Sequence, residues 1–381
     1  MLNINGLKKY YNGKKVFMTG HTGFKGSYMC VLLKYLGAKI YGYSLKPEKG
    51  SLFELIKKGY NDDKSNKTRL IEKEVFADIR DYKKLYKFVK KVNPDYILHM
   101  AAQPLVLLGY EEPRYTYEVN VMGTVNLFEA IRNLSNKNSI KPISILNVTT
   151  DKVYENNDLS NYAFKEPDKL CGRDPYANSK SCSEIVTYAY EKSFFYDKNL
   201  YRISTARAGN VIGGGDLNQN RIIPDCFRAI RDKKEMYIRN PKSIRPYQYV
   251  LEPLILYLNI LALQNKNKKY EGNYNIGPDK KNCLTTDILT NKFYAAYDKV
   301  LNEYAVNKNL LPKVVIDKTS NKSRHEAHFL RLDNSLIKKV FNYKEMFNMD
   351  KTMEHTAKVY FDMLEHSNIY KSVLEIISKL K

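Results

Sequence analysis

The sequence predicts an α/β protein, a doubly wound parallel sheet with a smaller α/β lobe packed beside it. Three observations point there. Short apolar runs alternate with amphipathic stretches through the first half of the chain. A glycine-punctuated turn joins the first apolar run to the first long helical stretch. Regular alternation then stops near residue 207, where glycine and proline interrupt the pattern at Gly213-Gly214-Gly215, Pro224, Asn240-Pro241, Pro246 and Gly277-Pro278. Strands that alternate with helices at this spacing pair in parallel, with helices covering both faces.

Taken in order, Val16–Thr19 reads as the first strand, Gly20–Gly26 as its turn, and the following stretch as a helix ending near Leu36-Gly37. Ile40–Ser44 is the second strand. A polar connection through Ser51–Glu74 leads to a third at Val75–Ala77. Asp81–Lys91 has helical periodicity, and Asn93-Pro94 ends it. Asp95–Met100 is the fourth strand, Pro113–Arg132 one long helix, Ile143–Thr149 the fifth strand, Asp174–Lys192 a helix and Ile203–Arg207 the sixth strand. Helical pattern returns at Pro253–Leu263 and Met349–Leu364. The division expected is a nucleotide lobe over 1–205 with about 246–280, and a substrate lobe over 206–245 with 281–381.

The chain has 381 residues, 43% of them hydrophobic and 27% charged, which suits a packed globule rather than a disordered chain. Its formal net charge of +22 comes from lysines and arginines scattered along the whole chain, in pairs such as Lys8/Lys9 and Lys338/Lys339. No basic arm or nucleic-acid motif gathers them, so a solvated surface is expected and a nucleic-acid partner is not. Five cysteines without C-x-x-C spacing argue against a disulfide framework or zinc site and fit a reducing cytoplasm. No segment approaches the roughly 18 continuous apolar residues that span a bilayer, so no membrane partner is expected, and Met1–Tyr10 lacks a signal-peptide core.

In Gly20-His21-Thr22-Gly23-Phe24-Lys25-Gly26 the glycines allow a tight turn and let a pyrophosphate approach the backbone, while the helix N-terminus offers N–H groups and a positive dipole. The second strand ends in Tyr43-Ser44-Leu45-Lys46, with no acid to hold ribose hydroxyls. Lys46 is compatible with a 2′-phosphate contact or with plain solvation. Asp78-Ile79 follows the third strand, where adenine would lie; on spacing Asp78 equally suits a helix cap.

Tyr176 and Lys180 stand four apart at a predicted helix start, on one face. An ammonium near a phenol favours the phenolate, which can accept a hydroxyl proton as a hydride leaves the same carbon. Thr149-Thr150-Asp151-Lys152 leaves the fifth strand at its carboxyl end, where open α/β sheets bind ligands. Thr150 can bond the substrate hydroxyl. Asp151 and Lys152 add an acid and a base that simple hydride transfer does not need. His99, at a strand end, reads as a packed and hydrogen-bonded residue.

Gly20–Gly26, Thr150 and the Tyr176/Lys180 pair together resemble the extended short-chain dehydrogenases/reductases that act on nucleotide sugars, built on a Rossmann-like sheet. Thr150-Asp151-Lys152 resembles their 4,6-dehydratase branch. Longer runs are similar to its CDP-glucose-converting members: Gly20 to Ser27, Ala101 to Val106, Thr150 to Asn156, Arg207 to Asp216, Arg221 to Asp225 and Arg245 to Pro253. The resemblance implies NAD as cofactor, held by Gly20, Thr22, Gly23, Phe24, Lys25, Gly26, Asp78, Ile79, Ala101, Ala102, Gln103, Tyr176 and Lys180. It implies that Tyr176, with Thr150 and Lys180, deprotonates the glucose 4-hydroxyl, that Lys152 removes the C5 proton, and that Asp151 protonates the departing C6 hydroxyl. It further implies that Gln103, Thr150, Asn210, Arg221 and Arg245 meet the nucleotide sugar, CDP-glucose by the longer runs, and that the protein is a homodimer or tetramer. UDP-, dTDP- or GDP-linked hexoses are the alternative substrates, and 4-epimerisation the alternative reaction. The chain departs from the pattern at Leu107, where arginine is expected, at Tyr249, where histidine is expected, and in having no tryptophan.

Overall fold

The computed structural model describes residues 1–134, 142–157, 162–197, 200–305, 311–316 and 330–380. Its strands are β1 Lys15–Thr19, β2 Lys39–Ser44, β3 Lys73–Phe76, β4 Tyr96–His99, β5 Ile143–Thr150, β6 Tyr201–Ala208, β7 Asn210–Ile212, β8 Met236–Ile238, β9 Ile244–Tyr249, β10 Asn273–Ile276, β11 Cys283–Thr285 and β12 Val314–Ile316. Seven of them form one sheet in the order β10-β6-β5-β4-β1-β2-β3, and every pairing in it is parallel. Strand order reverses between β1 and β4, so a crevice opens beyond their carboxyl ends. β11, β9 and β7 form a second small sheet, and β12 pairs with β8.

The six strands expected from apolar runs are β1 to β6, each within two residues of its expected bounds. The seventh, β10, was not anticipated, because Asn273-Tyr274-Asn275-Ile276 is too short and polar to announce itself. The segment read as a polar connection holds a helix at Leu52–Asp62, whose Leu52, Phe53, Ile56 and Tyr60 are buried. The long helix over 113–132 is broken into Pro113–Tyr117, a π-helical turn at Glu118–Met122, and Gly123–Arg132. Its cause is Asn120, whose amide is drawn inward: Nδ2 donates to the Gln103 carbonyl at 3.1 Å and to Ser179 Oγ at 2.9 Å, and Oδ1 accepts from the Gln103 N–H at 2.8 Å.

The main core fills the face of the sheet covered by helices Phe24–Tyr35 and Leu251–Lys266. Helix Leu251–Lys266 is buried on nearly every side, because the sheet lies under it and the N-terminal helix Ile4–Tyr11 over it. Tyr11 Oη donates to the Leu258 carbonyl at 2.8 Å, and Gln264 Nε2 to Ser144 Oγ at 2.8 Å. A separate core joins β8 to helices Ile222–Arg231, Thr286–Glu303 and Met349–Leu364 as the smaller lobe. The C-terminal helix Ile369–Ser378 packs on helices Leu52–Asp62 and Phe24–Tyr35 as well as on Met349–Leu364. Tyr370 meets Tyr60 edge-on at 4.9 Å.

Candidate active site

The glycine turn spans the crevice mouth. Gly20 has φ +74°, and a Cβ there would lie 2.8 Å from the Ala101 nitrogen, so the chain leaving β4 runs against the bare backbone. A Cβ on Gly26 would lie 2.3 Å from the Gly20 carbonyl oxygen. The helix that opens at Phe24 has Gly23 as its N-cap and no side chain capping it, so its first turn is open to an anion. These features fit a dinucleotide pyrophosphate. Thr19 Oγ1 bonds His99 Nδ1 at 2.7 Å and accepts the N–H groups of Met100 and Ala101, both at 3.1 Å, which fixes β1 against the end of β4. Burial, with Lys180 nearby, pushes His99 down to about 3, so its ring is a neutral packing group.

At the end of β2, Thr22 Oγ1 bonds Ser44 Oγ at 2.7 Å and donates to the Leu45 carbonyl at 3.1 Å. Lys46 is exposed. Asp78 is not a helix cap: Asp81 takes that role by accepting the Lys84 N–H at 3.0 Å. The Asp78 carboxylate instead accepts from Arg80 Nε at 3.1 Å and Nη2 at 2.9 Å. Ile79 is buried against Gly123.

Helix Pro175–Ser193 begins where Asp174 accepts the Ala177 N–H at 2.9 Å with proline at its first position. That start puts Tyr176 and Lys180 against the end of β5. Tyr176 faces Thr150 and Asp151. Its phenol is pushed up to about 12, by burial first and also by the Asp151 charge, while the Thr150 hydroxyl and Arg221 oppose. Lys180 Nζ donates to the Val148 carbonyl at 2.8 Å, and burial lowers its ammonium to about 8, against the Glu184 charge. Asp151 is 1% exposed; Oδ1 accepts from Thr150 Oγ1 at 3.0 Å, and Oδ2 has no hydrogen-bond partner among the described residues. Lys152 is half-buried, and its N–H donates to Thr150 Oγ1 at 3.4 Å. Its ammonium forms no ion pair with any described residue.

Lys25 and Tyr257 complete this cluster, and spacing gave no sign of either role. Lys25 Nζ donates to Tyr257 Oη at 3.4 Å. Burial, Arg221 and Lys180 lower its ammonium to about 8, while Asp151 opposes. On the substrate side, Asn210 is half-buried at the start of β7. Arg221 Nη1 donates to Asp216 Oδ2 at 2.9 Å, and Arg245, 7% exposed, donates to the Ile244 carbonyl at 2.9 Å. Ala101 and Ala102 line the crevice edge. Gln103 follows β4 and is buried. Its side chain is turned inward, donating to the Leu105 carbonyl at 3.0 Å and Thr116 Oγ1 at 2.8 Å while Oε1 accepts the Leu105 N–H, so it shapes the loop rather than offering a free amide. Tyr249 is fully buried against Phe347, at 4.7 Å between ring centres. It is a core residue, and Leu107 is 38% exposed.

A family model described as GDP-mannose 4,6 dehydratase matches residues 17–356. The chain is 37% identical to a CDP-glucose 4,6-dehydratase of Salmonella typhimurium LT2, over 92% of this chain and 91% of that one. It is 28% identical to a GDP-mannose 4,6-dehydratase of Vibrio cholerae, over 48% of this chain and 46% of that one. Among solved structures it is similar to the dTDP-glucose 4,6-dehydratase of Bacillus anthracis str. Ames in complex with NAD, with TM-score 0.68, 19% identity and coverage of 93% and 98%. It is also similar to an epimerase of Methanothermobacter thermautotrophicus, with TM-score 0.72, 18% identity and coverage of 99% and 97%. These two likenesses establish the fold.

Proposed function

The chain belongs to the GDP-mannose 4,6 dehydratase family of nucleotide-sugar enzymes, and on that premise we propose that it converts CDP-D-glucose to CDP-4-dehydro-6-deoxy-D-glucose and water. The observation that carries a dehydration is the buried Asp151 carboxylate, one oxygen bonded to Thr150 and the other unpaired, beside Tyr176. A 4-epimerase needs the threonine and tyrosine but no such acid. CDP as the nucleotide is supported by the identity to the Salmonella enzyme along nearly the whole of both chains.

Tyr176 takes the 4-hydroxyl proton, with Thr150 beside it and Lys180 one helical turn on. Gly20, Gly23 and Gly26, with the uncapped first turn at Phe24, would hold NAD, which would supply a reversible hydride acceptor for C4 and then C6. The 4-ketone acidifies the C5 proton, which Lys152 in its uncharged form removes and gives back to C5 when the hydride reaches C6. Asp151 gives its proton to the departing C6 hydroxyl, and water leaves across C5–C6. Arg221 and Arg245 meet the diphosphate, through charge-assisted bonds of the stronger kind.

Oligomer and compartment belong to the same proposal. Met122 and Tyr117 beside Ile185 and Tyr188 leave 50%, 36%, 55% and 62% of their surfaces exposed on two adjacent helices, which supports a dimer formed through them. Five unpaired cysteines suit a reducing cytoplasm. No helix among the described residues is long and apolar enough to cross a membrane.

Incubation with CDP-, UDP-, dTDP- and GDP-linked hexoses, with and without added NAD, tests the reading. The alkaline ultraviolet absorbance of a 4-keto product should appear with CDP-glucose. Product from another nucleotide hexose and none from CDP-glucose overturns the assignment.

A further inference from the structure

Glu184 and Arg207 form an ion pair inside the protein, 4% and 1% exposed. Arg207 Nε donates to both Glu184 oxygens at 2.9 Å, and Nη2 donates to Oε2 at 2.5 Å. Taking two charges out of water costs several kcal/mol per ion, and well-packed apolar residues often serve stability as well. The location of the pair gives it another use. Arg207 is the direct neighbour of Thr149 across the β5–β6 ladder, and Thr149 Oγ1 donates to Glu184 Oε1 at 2.6 Å. The next residues of the chain are Thr150 and Asp151. Glu184 lies one turn beyond Lys180 and two beyond Tyr176 on the same helical face. The second Arg207 nitrogen donates to Tyr154 Oη at 2.7 Å and to the Glu166 carbonyl at 2.8 Å, which ties down the segment that follows Lys152.

We propose that Glu184 and Arg207 are positioning residues for the proton transfers, locking the end of β5, with Thr150 and Asp151, against the helix that carries Tyr176 and Lys180. This rests on the dehydratase reading for its kinetic test. Three groups face the Glu184 carboxylate: Arg207 from β6, Thr149 from β5 and Lys180 from its own helix. Tyr154 and the Glu166 backbone lie behind Arg207. Lys180 in turn faces Lys25 from the glycine-turn helix and His99 from β4. Glu184 is therefore an anion that opposes loss of the Lys180 proton, with the Lys25 ammonium nearby. Neutralising it lets Lys180 deprotonate at lower pH, so a reaction that needs the ammonium loses rate earlier on the alkaline side.

The test is the pH profile of kcat for the NAD-loaded enzyme on CDP-glucose, alongside thermal unfolding, for wild type, Glu184→Gln and Glu184→Asp. Glu184→Gln should lower kcat by about tenfold or more, as slight misplacement of reacting groups does, and move the alkaline limb down by about one pH unit. KM should change much less. Glu184→Asp, which keeps the charge and loses reach, should hold the limb at its wild-type position and recover part of kcat. A purely structural pair would lower the unfolding temperature and leave the limb and kcat in place, and that result overturns the proposal. If Glu184→Gln does not fold, Thr149→Val removes only the strand contact, and unchanged kcat there overturns it equally. A second readout is independent of substrate: the 13Cζ resonance of Tyr176, assigned by its loss in Tyr176→Phe, should move in Glu184→Gln or Thr149→Val. If no CDP-glucose turnover is seen, the function assignment fails while this resonance still decides the positioning.

Discussion

Asp151 and Lys152 are neighbours in sequence but not in environment. Asp151 is enclosed, with a hydrogen bond from Thr150, whereas Lys152 is half-buried and unpaired by any described acid. An amine is a base only when uncharged, a state that desolvation and nearby cations favour. A substrate ring seated over the end of β5 would add desolvation. Lys152→Ala should still oxidise C4 but stop exchange of the C5 proton with solvent. Deuterium entering C5 at the wild-type rate in that variant removes Lys152 from the mechanism. Tyr176, pushed up to about 12 without ligands, gives a complementary lesson. Spacing brought phenol and ammonium to one helical face, where burial raises the phenol and Lys180 donates to the Val148 carbonyl. The tyrosine, lysine, threonine and aspartate were legible as residue types at fixed spacings. The inward turn of Gln103 was not, since it depends on Thr116 and Asn120 arriving from a helix more than ten residues away.

At the scale of elements, helix Leu251–Lys266 carries a buried acid at its start. Glu252 accepts the Met346 N–H at 2.5 Å, the Phe347 N–H at 2.7 Å and the Tyr343 hydroxyl at 2.8 Å, and so fastens this helix to the segment after Ser335–Phe341. Burial, with Glu345 nearby, raises its carboxyl to about 7 despite those bonds. The folded state therefore holds this proton more tightly than the unfolded chain does. Stability contributed by Glu252 is full below the ordinary carboxyl range and is lost as pH rises toward 7, with no further change above. Glu252→Gln keeps an acceptor for both N–H groups and presents its amide to Tyr343, which can then accept. Denaturant unfolding at pH 5 and pH 8 should show the variant gaining on wild type at the higher pH by roughly 1–3 kcal/mol. An equal difference at both pH values contradicts this. The helix itself was legible from its apolar run. Its terminal fastening was not, because the partners lie some 90 residues later.

For the whole molecule, Tyr117, Met122, Ile185 and Tyr188 leave apolar surface exposed on the helical segments 113–132 and Pro175–Ser193. Those helices also carry Asn120, Tyr176 and Lys180, so an interface across them would stiffen the catalytic side chains from behind. Ile185→Asp with Tyr188→Asp, each placing a charge on that face, should convert a dimer to monomers in sedimentation equilibrium. Unchanged assembly in the double variant moves the interface elsewhere. The net charge of +22 is spread over lysines of many elements and so bears on solubility and on attraction of an anionic substrate, not on the fold.

Periodicity and glycine spacing by themselves determined six strands, the glycine turn and the candidate site side chains, because each depends on residues within a few positions of one another. Only the tertiary structure decided the seventh strand, the placement of the C-terminal helix on the nucleotide lobe, the π-helical turn at Asn120 and the Glu184–Arg207 lock. Each of these depends on burial and on hydrogen-bond partners supplied by distant segments. A one-dimensional pattern cannot show which polar groups lose their water together.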